Sequence, residues 1–123
     1  MPKILIVDDE ALVTRSIKRL LNKKGYEVFM AKNGMEAIEE VKKEEFDLII
    51  SDVRMPGIDG VEMIKNIRNY LKDSNKKHIP EILISGYADE NKYEEAVNLG
   101  VKEYLFKPFD TRIFLEAVEK ILR

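Results

Sequence analysis

The sequence predicts an α/β protein built as a doubly wound parallel sheet, and three observations predict it. Short apolar, β-rich runs alternate with amphipathic helical stretches, strand then helix, five times along the chain. The runs Ile4-Leu5-Ile6-Val7, Leu48-Ile49-Ile50 and Ile82-Leu83-Ile84 are continuously apolar, as strands buried on both faces are. Polar residues then follow at once: Asp8-Asp9-Glu10, Asp52 and Ser85. Right-handed crossovers reduce the topologies to a (βα)5 three-layer sandwich, whose commonest sheet order is 2-1-3-4-5 with a switch point between the first and third strands.

Each element has its own signal. After the first strand, Val13, Ile17, Leu20 and Leu21 repeat at helical spacing over Ala11 to Lys24, and Gly25 closes that helix. Glu27 to Ala31 reads as the second strand. Asn33-Gly34 opens a second helix with Ala37, Ile38 and Val41 inward. Phe46 to Ser51 forms the third strand, with Asp52 where the apolar run gives out, and Pro56, Gly57 and Asp59-Gly60 mark a loop. The third helix runs from Gly60 to about Leu71 on a stripe of Val61, Ile64, Ile67 and Leu71. A charged loop from Lys72 to His78 leads to the fourth strand, Pro80 to Ser85. Gly86-Tyr87-Ala88-Asp89 is a loop, with Asp89 as the cap of a helix that Gly100 ends. Glu103 to Phe106 is the fifth strand. Asp110 or Thr111 starts the last helix, with Phe114, Ala117, Val118 and Ile121 on one face. Tyr26, Phe29, Phe46, Phe106, Phe109 and Phe114 are read as mostly core, and His78 as surface.

At 123 residues the chain reads as one domain, residues 1–123. A chain of this size buries roughly two-thirds of its unfolded surface without staples. It has no cysteine, which excludes disulfides, thiolate metal sites and cysteine nucleophiles. Lys and Arg number 21 against 23 Asp and Glu, mixed along the sequence, so no basic stripe points to direct nucleic-acid binding. The apolar runs are too short for membrane insertion, and the opening Met-Pro-Lys-Ile-Leu-Ile-Val carries no signal peptide, so a cytoplasmic location is expected.

In an open α/β sheet, ligands sit outside the carboxyl ends of the strands at the switch point. Asp8-Asp9 and Asp52 should therefore meet in one crevice. Close carboxylates repel unless a cation intervenes. An all-oxygen donor set with open positions suits Mg²⁺ better than a Ca²⁺ cage. Ser85 adds a hydroxyl and Lys107 an ammonium from the ends of two further strands. That set would stabilise a phosphoryl group in transfer, with Asp52 as its nucleophile. Singly these residues have plain readings: a strand-end aspartate is ordinarily a cap or loop residue, and Lys-Pro carries no message. Their shared position at one end of four predicted strands is what the plain readings leave unexplained. Glu10 reads first as a helix N-terminal acid and second as an outer ligand through water. Asp47 opens its strand, Asp59 belongs to a turn, and Tyr104 and Leu105 face opposite sides of the sheet.

On these residues the chain resembles the response-regulator receiver domains (CheY-like) of two-component signalling, which have a flavodoxin-like fold. The resemblance runs from Lys3 to Leu122. It rests on Ile-Leu-Ile-Val-Asp8-Asp9-Glu, Tyr26 with Ala31-Lys-Asn-Gly34, Asp47-Leu-Ile-Ile-Ser-Asp52-Val-Arg-Met-Pro56-Gly-Ile-Asp-Gly60, Ile84-Ser85-Gly86 and Tyr104-Leu-Phe-Lys107-Pro108-Phe109. It implies that Asp52 is the phosphoacceptor. It implies that Asp9, Asp52 and the Arg54 carbonyl ligate Mg²⁺, with Mn²⁺ as a substitute, and that Asp8 acts through a water. It implies a cis Lys107-Pro108 bond, with Lys107 and the N–H groups of Val53 and Gly86 on the phosphoryl oxygens. Ser85 and Tyr104 become the switch pair. Arg54 and Tyr87, each two residues beyond a site residue, are expected to tune water access and hence the lifetime of the modified state. The implied output is a shift of the face made by the fourth helix, fifth strand and fifth helix. The implied partners are a histidine kinase or histidine phosphotransfer protein, docking at Val13, Ser16 and Leu20 beside Arg15 and Lys18, and a downstream protein target. Such a domain is not a turnover enzyme, though it catalyses its own phosphorylation and dephosphorylation.

The sequence from Lys102 to Glu116 lacks the acidic-and-basic pairing of winged-helix regulators that dimerise through this face. A stand-alone receiver or a phosphorelay intermediate fits, with no output domain. Three other functions compete. A nucleotide-binding protein would want a Gly-rich loop after the first strand, where Asp8-Asp9-Glu10 stands and would repel phosphate without metal. A haloacid-dehalogenase-type phosphatase wants an acid two residues after its nucleophile, where Arg54 stands here. A pseudo-receiver, a pure interaction module, would ordinarily lack one of the acids or the lysine.

Overall fold

The computed structural model describes residues 1–86 and 90–123, and of Glu90 the backbone alone. The elements follow in strict alternation: β1 (Lys3–Val7), α1 (Ala11–Lys23), β2 (Glu27–Ala31), α2 (Gly34–Lys43), β3 (Leu48–Asp52), α3 (Gly60–Asp73), β4 (Glu81–Ser85), α4 (Glu90–Leu99), β5 (Glu103–Phe106) and α5 (Thr111–Leu122). The strands form one parallel sheet in the order β2-β1-β3-β4-β5. This is the doubly wound, flavodoxin-like architecture that the alternation predicts.

The continuous apolar runs lie in the centre of the sheet. Every residue of β3 and β4 is buried, because helices cover both faces of a parallel sheet. Alternate strand residues feed two cores. Leu5, Val7, Ile49 and Leu83 pack with Val41, Val61, Ile64 and Ala96 of α2, α3 and α4. Ile4, Ile6, Ile50 and Ile84 pack with Ile17, Leu21, Phe114 and Val118 of α1 and α5. Tyr104 joins the first core and Leu105 the second, on opposite faces as the alternation requires.

Side chains set the helix starts. Asn33 caps α2 by accepting the Glu36 N–H at 2.9 Å, while Glu36 reaches back to the Lys32 N–H at 3.0 Å. Asp59, expected as a turn residue, is the N-cap of α3 and accepts the Glu62 N–H at 2.9 Å. Asp110 caps α5 through the Arg112 N–H at 2.7 Å. Asp47 ties the strand starts together: its carboxylate accepts the Lys3 N–H at 2.7 Å and its own N–H donates to the Lys3 carbonyl at 2.8 Å. Gly25 follows α1 at φ 92°, where a residue without Cβ meets no strain. The proposed cap Asp89 and the loop residues Tyr87 and Ala88 lie outside the described residues.

Three expectations change. β3 begins at Leu48 rather than Phe46. Asp52 is the last residue of β3 rather than the first beyond it. Phe106, read as core, is 45% exposed: it ends a four-residue strand at the sheet edge, where the Tyr93 ring at 6.0 Å gives only partial cover. His78 is exposed as expected. Among the described residues, no helix is long and apolar enough to cross a membrane.

Candidate functional site

The register of the sheet builds the site. Val7 pairs with Ser51, Asp52 with Ile84, and Ser85 with Phe106. The residues that end β1, β3, β4 and β5 therefore come out along one edge. Backbone bonds fix the first residue beyond three of these strands: Asp8 N–H to the Ala31 carbonyl at 3.1 Å, Val53 N–H to that of Ile84 at 2.9 Å, and Lys107 N–H to that of Ser85 at 2.7 Å. The Lys107-Pro108 bond is cis. A separate cavity of about 560 Å³, among Phe46, Leu71, Ile79 and Ile121, opens at the amino end of the strands, away from the carboxylates.

Asp52 and Asp8 are 8% and 7% exposed. Lys107 Nζ donates to Asp52 Oδ2 at 3.2 Å. The Glu10 N–H donates to Asp8 Oδ1 at 2.9 Å. Ligand oxygens of Asp8, Glu10 and Asp52 lie within 4.8 Å of one another. Asp9 is exposed and outside that group, though its charge acts on both buried aspartates. Glu10 occupies the N-cap of α1 without making a side-chain cap bond; its carboxylate belongs to the cluster.

Burial pushes the Asp52 carboxyl above its ordinary value, and the Asp9 charge adds to this; the Lys107 ammonium and the Val53 N–H oppose it. Burial likewise raises Asp8, helped by the Asp52 and Asp9 charges and opposed by the Glu10 N–H and Lys107. Two buried aspartate carboxyl groups thus share one crevice, with the Glu10 carboxyl within reach. The donor set is all oxygen, which fits a hard divalent cation with open positions.

The other expected residues take these places. Ser85 is 1% exposed. Val53 is buried, Arg54 exposed, and Gly86 exposed. Tyr104 is partly buried, its ring 5.1 Å from Tyr93 and 5.2 Å from Phe106. Its hydroxyl is the buried side-chain polar atom that lacks a hydrogen-bond partner among the described residues. On α1, Val13 and Leu20 pack partly against the core and Ser16 is exposed.

Three features escape the sequence. Leu12, not Val13 or Leu20, is the large apolar residue that α1 exposes, at 77%. Glu81 is 1% exposed and takes a two-pronged bond from Arg68, Nε to Oε2 at 2.9 Å and a terminal nitrogen to Oε1 at 2.8 Å. Asp59 pairs with Lys92 at 2.8 Å. The only sequence hint of the Glu81 pair is an acid opening an apolar strand and Arg68 flanking the stripe of Ile64, Ile67 and Leu71.

Comparison with known proteins comes to the same place. The family model described as the response regulator receiver domain matches residues 4–119. Chemotaxis protein CheY-3 of Vibrio cholerae is 38% identical over 120 residues, 97% of this chain and 90% of that protein. Sporulation initiation phosphotransferase F of Bacillus subtilis is 37% identical over 120 residues, 98% of this chain and 93% of that protein. The crystal structure of response regulator TrrA from Thermotoga maritima, in complex with Mg²⁺ and BeF, superposes with a TM-score of 0.84 at 34% identity, over 99% of this chain and all of that one (100%).

Proposed function

The chain belongs to the response-regulator receiver family, and from that premise we propose that it accepts a phosphoryl group on Asp52 from a phosphohistidine of a sensor kinase or phosphotransfer protein. One observation carries the reading most: buried Asp52 stands at the carboxyl end of β3, with Lys107 at 3.2 Å and the oxygens of Asp8 and Glu10 within 4.8 Å.

An Asp52 carboxylate oxygen attacks phosphorus as the P–N bond of the phosphohistidine breaks. The electron pair leaves with the imidazole, and the product is an acyl phosphate. Lys107 holds the Asp52 carboxylate in place before transfer and follows the phosphoryl oxygens after it. Its positive charge opposes the charge that develops, in a site where burial strengthens the effect. Asp8, Asp52 and either Asp9 or Glu10 would hold Mg²⁺ or Mn²⁺ here, with the Arg54 carbonyl as a further ligand. The ion supplies neutralisation of the clustered carboxylates and of the phosphoryl charge.

Modification replaces one negative charge at Asp52 with about −1.5 to −2. Ser85 and Lys107 close on the new oxygens, with the N–H groups of Val53 and Gly86 as further donors. Tyr104, whose buried hydroxyl has no partner among the described residues, has a reason to change place when the Ser85 side chain moves. The output is then an altered α4-β5-α5 face for a protein target. The phosphatase reading is disfavoured by Arg54, exposed and two residues beyond Asp52 where that chemistry needs an acid.

Intact mass after incubation with acetyl phosphate, with and without Mg²⁺, tests the proposal. The expected result is a single Mg²⁺-dependent phosphoryl adduct that Asp52→Asn abolishes. No adduct from acetyl phosphate, nor from a panel of phosphorylated histidine kinases, would leave the pseudo-receiver.

A further inference from the structure

Ion pairs tie α4 to α3, and among the described side chains α4 gives the core fewer buried residues than any other helix does. Among the described side chains of α4, only Ala96 is buried, with Leu99 packing partly on the core. Toward α3, Lys92 Nζ lies 2.8 Å from Asp59 Oδ2, and Lys65 Nζ lies 3.1 Å from Glu95 Oε2. The Arg68 guanidinium donates to the Leu99 carbonyl. Glu95 also stands 3.6 Å from Lys92.

The Asp59 rung differs from the others because of what lies behind it. Asp59 is the N-cap of α3, and its side chain and that of Lys92 are only 26% and 27% exposed. Water therefore screens this pair less than an open surface pair. Burial pushes the Asp59 carboxyl up, but the Lys92 ammonium and the Glu62 N–H outweigh it and hold the group below its ordinary value. The next residue, Gly60, donates its N–H to the Val53 carbonyl at 2.8 Å. A Cβ on Gly60 would stand 2.4 Å from the Asp52 carbonyl oxygen and 3.1 Å from Val53 Cα. The start of α3 is thus pressed against the peptide that joins Asp52 to Val53. Close-packed backbone transmits a shift rather than absorbing it.

We propose that Asp59 and Lys92 form a coupling link between Asp52 and α4. A displacement of the Asp52–Val53 peptide moves Gly60 and Asp59 together, and Lys92 carries that movement into the first turns of α4. The link rests on Asp52 being the phosphoacceptor. It reaches α4 from the α3 side, apart from Ser85 and Tyr104, which reach it from the sheet. Its two ends bias one weakly anchored element, which is the physical requirement for coupling between sites.

The variants are Asp59→Asn, Lys92→Gln and the pair. Asparagine keeps the cap acceptor and removes the charge. In the unmodified protein, each single variant should speed amide exchange at residues 92–99 by about two- to fivefold, the range for a partly shielded ion pair. The double variant should go no further than either single one. Unchanged exchange, or additive effects, would overturn the link. The second reading is the shift of α4 amide resonances after acetyl phosphate and Mg²⁺. Either single variant should lose half or more of the wild-type shift while the Ser85 and Lys107 amides still respond. A full α4 shift in the variants would overturn the coupling. Absence of any adduct on wild-type protein, seen by mass before α4 is examined, would overturn the acceptor reading and the coupling with it.

Discussion

Replacing Arg68 with Met should destabilise the protein by about 3 kcal/mol. The guanidinium gives two N–H groups to the Glu81 carboxylate at 2.9 and 2.8 Å and a third to the Leu99 carbonyl. Methionine fills much of the stem volume, so the loss is polar. Glu81, 1% exposed, is then left as a buried charge without its cation. Breaking a buried pair from one side costs about 3–5 kcal/mol. Arg68 itself is 23% exposed, so some water enters and the low end applies. A loss of about 3 kcal/mol removes a large part of a typical 5–15 kcal/mol domain stability. At roughly 2.1 cal/mol/K per residue it lowers Tm by about 12 °C. Urea unfolding followed by circular dichroism at pH 7 measures it, with the m-value unchanged if the native state keeps its shape. Arg68→Met with Glu81→Leu should recover to within about 1 kcal/mol of wild type, because an apolar pair of similar volume removes the stranded charge. A loss below about 1 kcal/mol in the single variant, the range for an exposed pair, or a double variant no better than the single one, would refute the reasoning.

The other predictions concern the carboxylates and the close approach of α3. Asp8 and Asp52 are raised above the ordinary carboxylate value of 3.8, so their contribution to stability is fully present below that value and is lost as pH rises through their folded pKa values. In EDTA, Asp8→Asn should therefore gain in urea midpoint over wild type as pH goes from about 4 to 7; a constant difference would refute it. Mg²⁺ at one hundred times its Kd should add about 2.7 kcal/mol to wild type and less to Asp52→Asn, read as Tm against Mg²⁺ concentration; a Tm that ignores Mg²⁺ would refute the site. Gly60→Ala should cost about 2–3 kcal/mol, because its Cβ meets the Asp52 backbone carbonyl at 2.4 Å. Gly34→Ala should cost less, because its Cβ meets side-chain atoms, those of Ile58 at 2.5 and 2.7 Å and Met63 Cβ at 3.4 Å, and no backbone, and urea midpoints of the two variants compare them directly.

What the sequence makes legible follows from what burial does to it. Leu48, Ile49 and Ile50 announce a strand covered on both faces, since the run is short, rich in β-branched residues and followed by the turn signals Pro56 and Gly57. Asp8, Asp52, Ser85 and Lys107 converge because parallel strands in near-level register must end along one edge, and each lies at or just past such an end. Contacts between elements are less legible. Nothing local says that Arg68 turns toward Glu81, or that Asp59 turns toward Lys92, since both depend on how α3 is rotated against its neighbours. Glu10 is a case of the same kind. Its place at the start of α1 suits a helix-dipole role, yet the turn out of β1 sends its carboxylate toward Asp8 and Asp52. Phe106 misleads for a different reason. Its apolar character is local, but its exposure comes from standing at the open edge of the sheet.

The distribution of stiffness bears on where a change at Asp52 can go. Asp52 ends a strand whose residues are all buried, between β1 and β4. Below it the cores on both faces are closed by isoleucine, leucine and valine at or near zero exposure. Toward α3 there is no slack, since Gly60 already touches the Asp52–Val53 peptide. The site meanwhile holds like charges against burial, with Asp8 and Asp52 both raised, so an added phosphoryl charge or a bound cation changes the forces there by a large amount. Rigid neighbours pass those forces on. α4 is where they can be spent as motion: it buries one described side chain, its N-terminal half is tied by ion pairs, and its last carbonyl is held by Arg68. Ion pairs re-form after small displacements more readily than an interdigitated apolar seam does. If the proposed coupling holds, α4 would pivot about its Arg68 end, and the exposed Tyr93 and Val97 that it carries would change position against Phe106 on the open edge of the sheet.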